Sequence, residues 1–130
     1  MIDIKGKQYN VIFFDWLNTL YSPNTQMLFP WVSKYFINNC KKTQNYLITK
    51  SSNTNQNLED GTSIVKCFEK VYLDIPDKEK VFNDIIRFFS LKKEEILVIG
   101  DNDQSELLAA KNIGIDSIHV NDFTSIVEKW

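Results

Sequence analysis

Two runs of four apolar residues stop abruptly at acids. Val11-Ile12-Phe13-Phe14 stops at Asp15, and Ile96-Leu97-Val98-Ile99 stops at Gly100-Asp101. Neither run alternates apolar with polar residues, so neither suits a strand with one face in water. Continuous apolar strands belong to a sheet covered on both faces, which means a parallel sheet flanked by helices.

The rest of the chain supplies the partners such a sheet needs. Tyr46-Leu47-Ile48-Thr49, Val71-Tyr72-Leu73 and Ser117 to Val120 read as three further strands. Between the strands lie stretches with apolar residues at helical spacing. Met27 to Lys42 is one, with Pro30 suited to its first turn. Asp77 to Ser90 is a second, and Ser105 to Asn112 a third, closed by Gly114 as a C-terminal cap. Ile64 to Phe68 reads as a short helix and Thr124 to Trp130 as a terminal one. Asn18 to Gln26 reads as loop, and polar Ser51 to Asp60 as a surface loop or the start of a helix. The first ten residues suit a hairpin around Gly6. Alternating strands and helices predict an α/β, three-layer Rossmann-like fold with a mainly parallel five-stranded sheet, in one domain spanning residues 1–130.

Composition narrows the function. A net charge of −2, with lysines interspersed among acids, leaves no basic stripe for nucleic acid. No apolar run approaches the roughly 18 residues needed to cross a membrane, and Met1 to Asn10 is too polar for a signal peptide. A reducing cytoplasm is the expected compartment. The two cysteines, Cys40 and Cys67, form no CxxC pair and read as small core residues. With His119 the single histidine, histidine-based zinc or serine-histidine chemistry has little to draw on.

Ligands of open α/β sheets bind outside the carboxyl ends of the strands. There this chain places Asp15, Thr49 and Gly100-Asp101 on one edge. Two carboxylates at neighbouring strand ends repel unless a cation sits between them. Mg²⁺ suits such a place, since it takes oxygen ligands from one or two carboxylates plus a substrate phosphate. An Asp beside it can act as a nucleophile towards phosphorus, with a hydroxyl and a lysine completing a phosphate cradle.

These residues resemble the motifs of the haloacid dehalogenase (HAD) superfamily. The family's Asp-x-Asp-Gly-Thr-Leu is matched by Asp15-Trp16-Leu17-Asn18-Thr19-Leu20, its strand-ending Thr by Thr49, and its Gly-Asp with a following acid by Gly100-Asp101 to Glu106. Ile96 to Val120 is similar throughout, including Ala109-Ala110-Lys111 and Gly114. The resemblance implies a Mg²⁺-dependent phosphatase forming an aspartyl-phosphate on Asp15. Mg²⁺ would be held by Asp15, the Leu17 backbone carbonyl and Asp101, with Asp103 or Glu106 as second acid. Thr49, a lysine and Asn18 would hold phosphate, and Thr19 would support the loop. The lysine is Lys78, with Lys80 as the alternative, because the family's frequent Lys-Pro pair would fall on Ile75.

One departure carries weight. Leu17 stands where family phosphatases have the general acid and base, a function typically contributing about 10²–10⁴-fold. Only about thirty residues separate Thr19 from Thr49, so no cap domain fits. The resemblance is thus to capless members that act on phosphorylated small molecules or phosphoproteins, with a second copy or a partner closing the open site. Trp16, Tyr21, Phe29 and Trp31 lie near that site, where core packing explains most of them. Two functions fit: a phosphohydrolase slowed by Leu17, or a catalytically degenerate HAD-fold protein that binds a ligand or scaffolds a partner.

Overall fold

A computed structural model describes residues 1–52 and 63–130. Most of the polar stretch read as a surface loop or helix start, from Asn53 to Asp60, lies outside them. The central sheet has five strands in the order β7-β6-β3-β8-β9, every neighbouring pair parallel. These are β3 (Val11–Phe14), β6 (Gln44–Ile48), β7 (Phe68–Tyr72), β8 (Ile96–Gly100) and β9 (Asp116–His119). From central β3 the chain runs outward through β6 and β7, then returns to lay β8 on the other side of β3. Strand order therefore reverses at β3, and the crevice at its carboxyl end is where such sheets bind ligands.

The side chains of each strand alternate between two cores. Ile12, Phe14, Leu47, Leu97 and Ile99 face one, which α1 (Pro30–Asn39) and α4 (Val120–Val127) cover with Val32, Tyr35, Phe36, Val120 and Phe123. Val11, Phe13, Tyr46, Ile48, Ile96 and Val98 face the other, covered by α2 (Lys78–Phe88) and α3 (Glu106–Ile113) through Phe82, Ile85, Ala109 and Ala110. Helices on both faces explain why the strand runs are apolar without alternation. The fold is the expected three-layer α/β one, and no cap domain is evident among the described residues. No helix among the described residues is long and apolar enough to cross a membrane.

Local chemistry sets the helix ends. Pro30 opens α1, Asp77 caps α2 by accepting from the Lys80 N–H at 3.2 Å, and Gly114 ends α3 at φ 78°. The N-terminal hairpin forms as expected, β1 (Ile2–Ile4) against β2 (Lys7–Tyr9), turning on Lys5 and Gly6 at positive φ. Lys7 and Tyr9 both donate to Asp116, tying this hairpin to β9. The terminal helix starts at Val120, four residues before the predicted Thr124.

Two expectations are corrected. Asn18 to Gln26 is not all loop: β4 (Tyr21–Ser22) pairs antiparallel with β5 (Met27–Leu28), so Met27 and Leu28 belong to a small hairpin and not to α1. Its strands are too short to show a period. The cysteines are also more than packing residues, because Cys40 and Cys67 form a disulfide. Cys40 follows α1 and Cys67 ends the 3-10 helix Ser63–Cys67, which leads into β7; the cross-link is a product of tertiary proximity that motif spacing cannot reveal.

Candidate active site

The sheet register brings the candidate residues to one level. Phe14 pairs with Leu47 on one side and Ile99 on the other, so Asp15 is flanked by the ends of β6 and β8. The Asp15 N–H donates to the Ile99 carbonyl at 3.0 Å, which extends the β3–β8 ladder to residue 15. Thr49 and Asp101 lie one residue beyond that level on their own strands. After Asp15 the chain turns sharply, with the Trp16 carbonyl accepting from the N–H groups of Thr19, Leu20 and Tyr21. Asn18 takes the left-handed conformation this turn requires (φ 61°), which Asn tolerates better than most residues.

Asp15 is 8% exposed, and both its oxygens are engaged. Lys78 Nζ donates to Oδ1 at 2.7 Å, and the Thr19 hydroxyl donates to Oδ2 at 3.2 Å. That hydroxyl also lies 3.5 Å from Asp101 Oδ1, so Thr19 sits between the two acids. Lys78 Nζ continues to Glu106 Oε2 at 3.1 Å. Glu106 Oε1 accepts from the backbone N–H groups of Asp101 and Asn102, each at 3.0 Å. The result is a connected chain: Thr19, Asp15, Lys78, Glu106, and the loop that carries Asp101. Gly100 is required by this packing, because a Cβ there would collide with the Glu106 side chain.

The electrostatics follow from burial. Lost hydration pushes the Asp15 carboxyl up to about 7; Lys78 pulls it down, while Glu106 and Asp101 add to the rise. Burial raises Glu106 too, but Lys78 and the backbone N–H donors outweigh it and hold this carboxyl below its ordinary value. One lysine thus serves a cluster of three carboxylates, leaving a deficit of positive charge at Asp15.

The donor set fits a divalent cation. Asp15, Asp101 and Glu106 each offer a carboxylate oxygen within 4.8 Å of the others. Glu106 accepts three hydrogen bonds, from Lys78 and two backbone N–H groups, which leaves Asp15 and Asp101 as the less engaged acids to face an ion. Two carboxylates are what Mg²⁺ typically takes from protein, with water and phosphate completing its oxygen shell.

The structure thus brings Asp15, Thr19, Lys78, Asp101 and Glu106 together. Thr49 is buried at the adjacent strand end, its hydroxyl accepting from the Ser51 N–H at 3.1 Å. Asn18 and Leu17 are exposed on the turn, Leu17 at 38%. Lys80 and Asp103 are exposed; it is Lys78 that reaches Asp15, and Glu106 that reaches Lys78. Trp16 and Tyr21 are buried and stacked, with ring centroids 5.2 Å apart, and Phe29 and Trp31 pack against the same core. Sequence reasoning gave Glu106 a supporting place only, and it overlooked Gly100 as the space that admits the Glu106 side chain. A cleft of about 200 Å³ beside Lys78 is lined by Lys50, Asp77, Gln104 and Ser105 among others. A larger hollow of about 540 Å³ between α1 and the last residues shares none of these side chains, so size does not locate the chemistry.

No protein-family model and no curated protein matches the sequence. Solved structures do match the fold. A haloacid dehalogenase-like family hydrolase from Streptococcus pneumoniae superposes with TM-score 0.67 at 16% identity, over 84% of this chain and 83% of that one. A Lactobacillus plantarum protein described provisionally as a phosphoglycolate phosphatase gives 0.71 at 12% identity, over 88% and 87%. The 3-deoxy-D-manno-octulosonate 8-phosphate phosphatase of Moraxella catarrhalis, solved in complex with magnesium ion, phosphate ion and KDO, gives 0.56 at 13% identity, over 73% and 59%. The class is that of an α/β sheet with one acid, Asp15, after its central strand and another, Asp101, after the neighbouring β8. Within that class, the chain has the fold of the HAD-like hydrolases.

Proposed function

We propose that the chain is a HAD-superfamily, Mg²⁺-dependent phosphohydrolase whose nucleophile is Asp15. The observation that carries this reading is the buried Lys78–Asp15 contact at 2.7 Å, with Asp101 joined to Asp15 through Thr19. A lysine buried against a carboxylate is costly as a stability device, since ion-pair attraction often fails to repay desolvation. It is well suited to an anion that arrives later. Magnesium and phosphate ions in the Moraxella phosphatase complex accord with the same chemistry.

In this reading Asp15, Asp101 and the Leu17 carbonyl hold Mg²⁺, which neutralises phosphoryl oxygens when bound. Lys78, Thr49 and the turn at Asn18 hold the phosphoryl group; Lys78 also opposes the rise that burial imposes on the Asp15 carboxyl. Glu106 positions Lys78 and the Asp101 loop, and Thr19 orients Asp15. The substrate is a phosphorylated small molecule or phosphoprotein, and a partner surface or second copy closes the site. Leu17 favours one alternative, a degenerate member that binds phosphate and Mg²⁺ without turnover.

Phosphate release from an aryl phosphate and from acetyl phosphate, with Mg²⁺ or with chelator, tests the proposal. Release that needs Mg²⁺ and vanishes in Asp15→Asn and Asp101→Asn supports it. Release that persists in Asp15→Asn would sink the nucleophile assignment, and Mg²⁺ binding without release would favour the degenerate alternative.

A further inference from the structure

We propose that Asp15 accepts a phosphoryl group from acyl phosphates in particular and retains it, so that the phosphorylated protein accumulates as a long-lived species. This inference rests on the assignment of Asp15 as nucleophile and adds the donor class and the fate of the phosphoryl group.

The argument is an inventory of protons. Phosphoryl transfer to a carboxylate makes two opposite demands: the leaving group must be stabilised as it departs, and the water that later attacks must lose a proton. Among the described residues, the polar side chains that hydrogen-bond Asp15 are Thr19 and Lys78, and the Asp101 carboxylate beside them is assigned to the metal. Thr19 is a neutral hydroxyl already directed at Asp15 and Asp101. Lys78 directs its Nζ at both Asp15 and Glu106, which are buried. Glu106, one step further, spends both oxygens on Lys78 and the backbone N–H groups of the Asp101 loop. On the open side of the turn the side chain two residues beyond Asp15 is Leu17, exposed and without a proton to give or take.

Leaving groups sort accordingly. An alkoxide is a poor leaving group without a proton donor, and a phosphoramidate nitrogen must be protonated before it departs. An acyl phosphate needs neither. An Asp15 carboxylate oxygen attacks phosphorus, the bond from phosphorus to the acyl oxygen breaks, and the electron pair leaves on a carboxylate. Carboxylates are stable at neutral pH, since their acids ionise near pH 4. Charge and atoms balance with no proton transferred. The reverse demand is not met: hydrolysis of the aspartyl-phosphate needs a base for the incoming water, and the inventory supplies none. The first step is thus allowed and the second hindered, which makes Asp15 an acceptor that fills faster than it empties.

The test incubates the full chain with acetyl phosphate and Mg²⁺, quenches samples in acid, and follows intact mass alongside free phosphate. The expected result is one phosphoryl group per chain, absent from Asp15→Asn, persisting after excess donor is removed, and not formed from an alkyl phosphate. Leu17→Asp should shorten the lifetime of the adduct by at least about tenfold, towards the 10²–10⁴-fold of a placed acid–base group. Leu17→Asn separates polarity from proton transfer and should shorten it less; circular dichroism checks that both variants fold. Rapid phosphate release with no accumulating adduct, abolished by Asp15→Asn, would overturn retention and leave the hydrolase reading standing. Neither adduct nor release would overturn both. An adduct whose lifetime is the same in Leu17→Asp would overturn the role given to residue 17.

Discussion

Lys78 is the residue on which the site's charge balance turns. Its side chain is 4% exposed and its two partners are nearly as enclosed. Removing one member of a buried pair leaves an uncompensated charge, so Lys78→Met should cost about 3 kcal/mol in denaturant unfolding of the metal-free protein. Asp15 gives a pH signature of its own. Its carboxyl titrates near 7 when folded and near 3.8 when unfolded, so between these values the folded state binds more protons. Stability from this group is therefore present below about pH 4 and is lost as pH rises through 7. With chelator present, the melting temperature of Asp15→Asn should fall less between pH 5 and 7.5 than that of the natural sequence. Mg²⁺ should restore the natural sequence at pH 7.5. At this scale Asp15, Thr49 and Asp101 were legible because each terminates a strand, and strand ends can be read from apolar runs. The role of Glu106 was not, because its partners are backbone N–H groups of a loop whose course only the folded chain defines.

Among the elements, α2 matters most to the site, since Lys78 is its first residue. Asp77 caps that helix, and Asp77→Ala should cost about 1 kcal/mol, measured by urea unfolding. The range of α2 was readable from the helical spacing of Val81, Phe82, Ile85, Ile86 and Phe89. The β4–β5 hairpin was not, as two-residue strands carry no period and Pro23 to Gln26 reads only as turn. The Cys40–Cys67 cross-link closes a separation of 27 residues. Such bonds typically stabilise by roughly 2–4 kcal/mol. Thiol titration should find no free cysteine in the untreated protein and both after reduction, and reduction should lower the melting temperature. Free thiols in protein kept from reductant would contradict the cross-link.

For the whole molecule, the two cores decide whether the site edge holds its shape. Phe14 precedes Asp15 and packs on Tyr35, Phe36 and Phe68, with ring centroids 5.4–6.4 Å away. Phe14→Ala should cost about 3–5 kcal/mol and lower Mg²⁺ affinity with it, as the central strand end loses its support. The global architecture was legible because β3 and β8 are apolar throughout, which only a sheet covered on both faces explains. The central claim is that Asp15 is the carboxylate that takes the phosphoryl group. Borohydride reduction of protein quenched during reaction with acetyl phosphate and Mg²⁺ tests it most directly, since it converts an aspartyl-phosphate to homoserine that peptide mass spectrometry can place. The expected result is homoserine at residue 15 alone; homoserine at another acid, or at none while phosphate is being released, would contradict it.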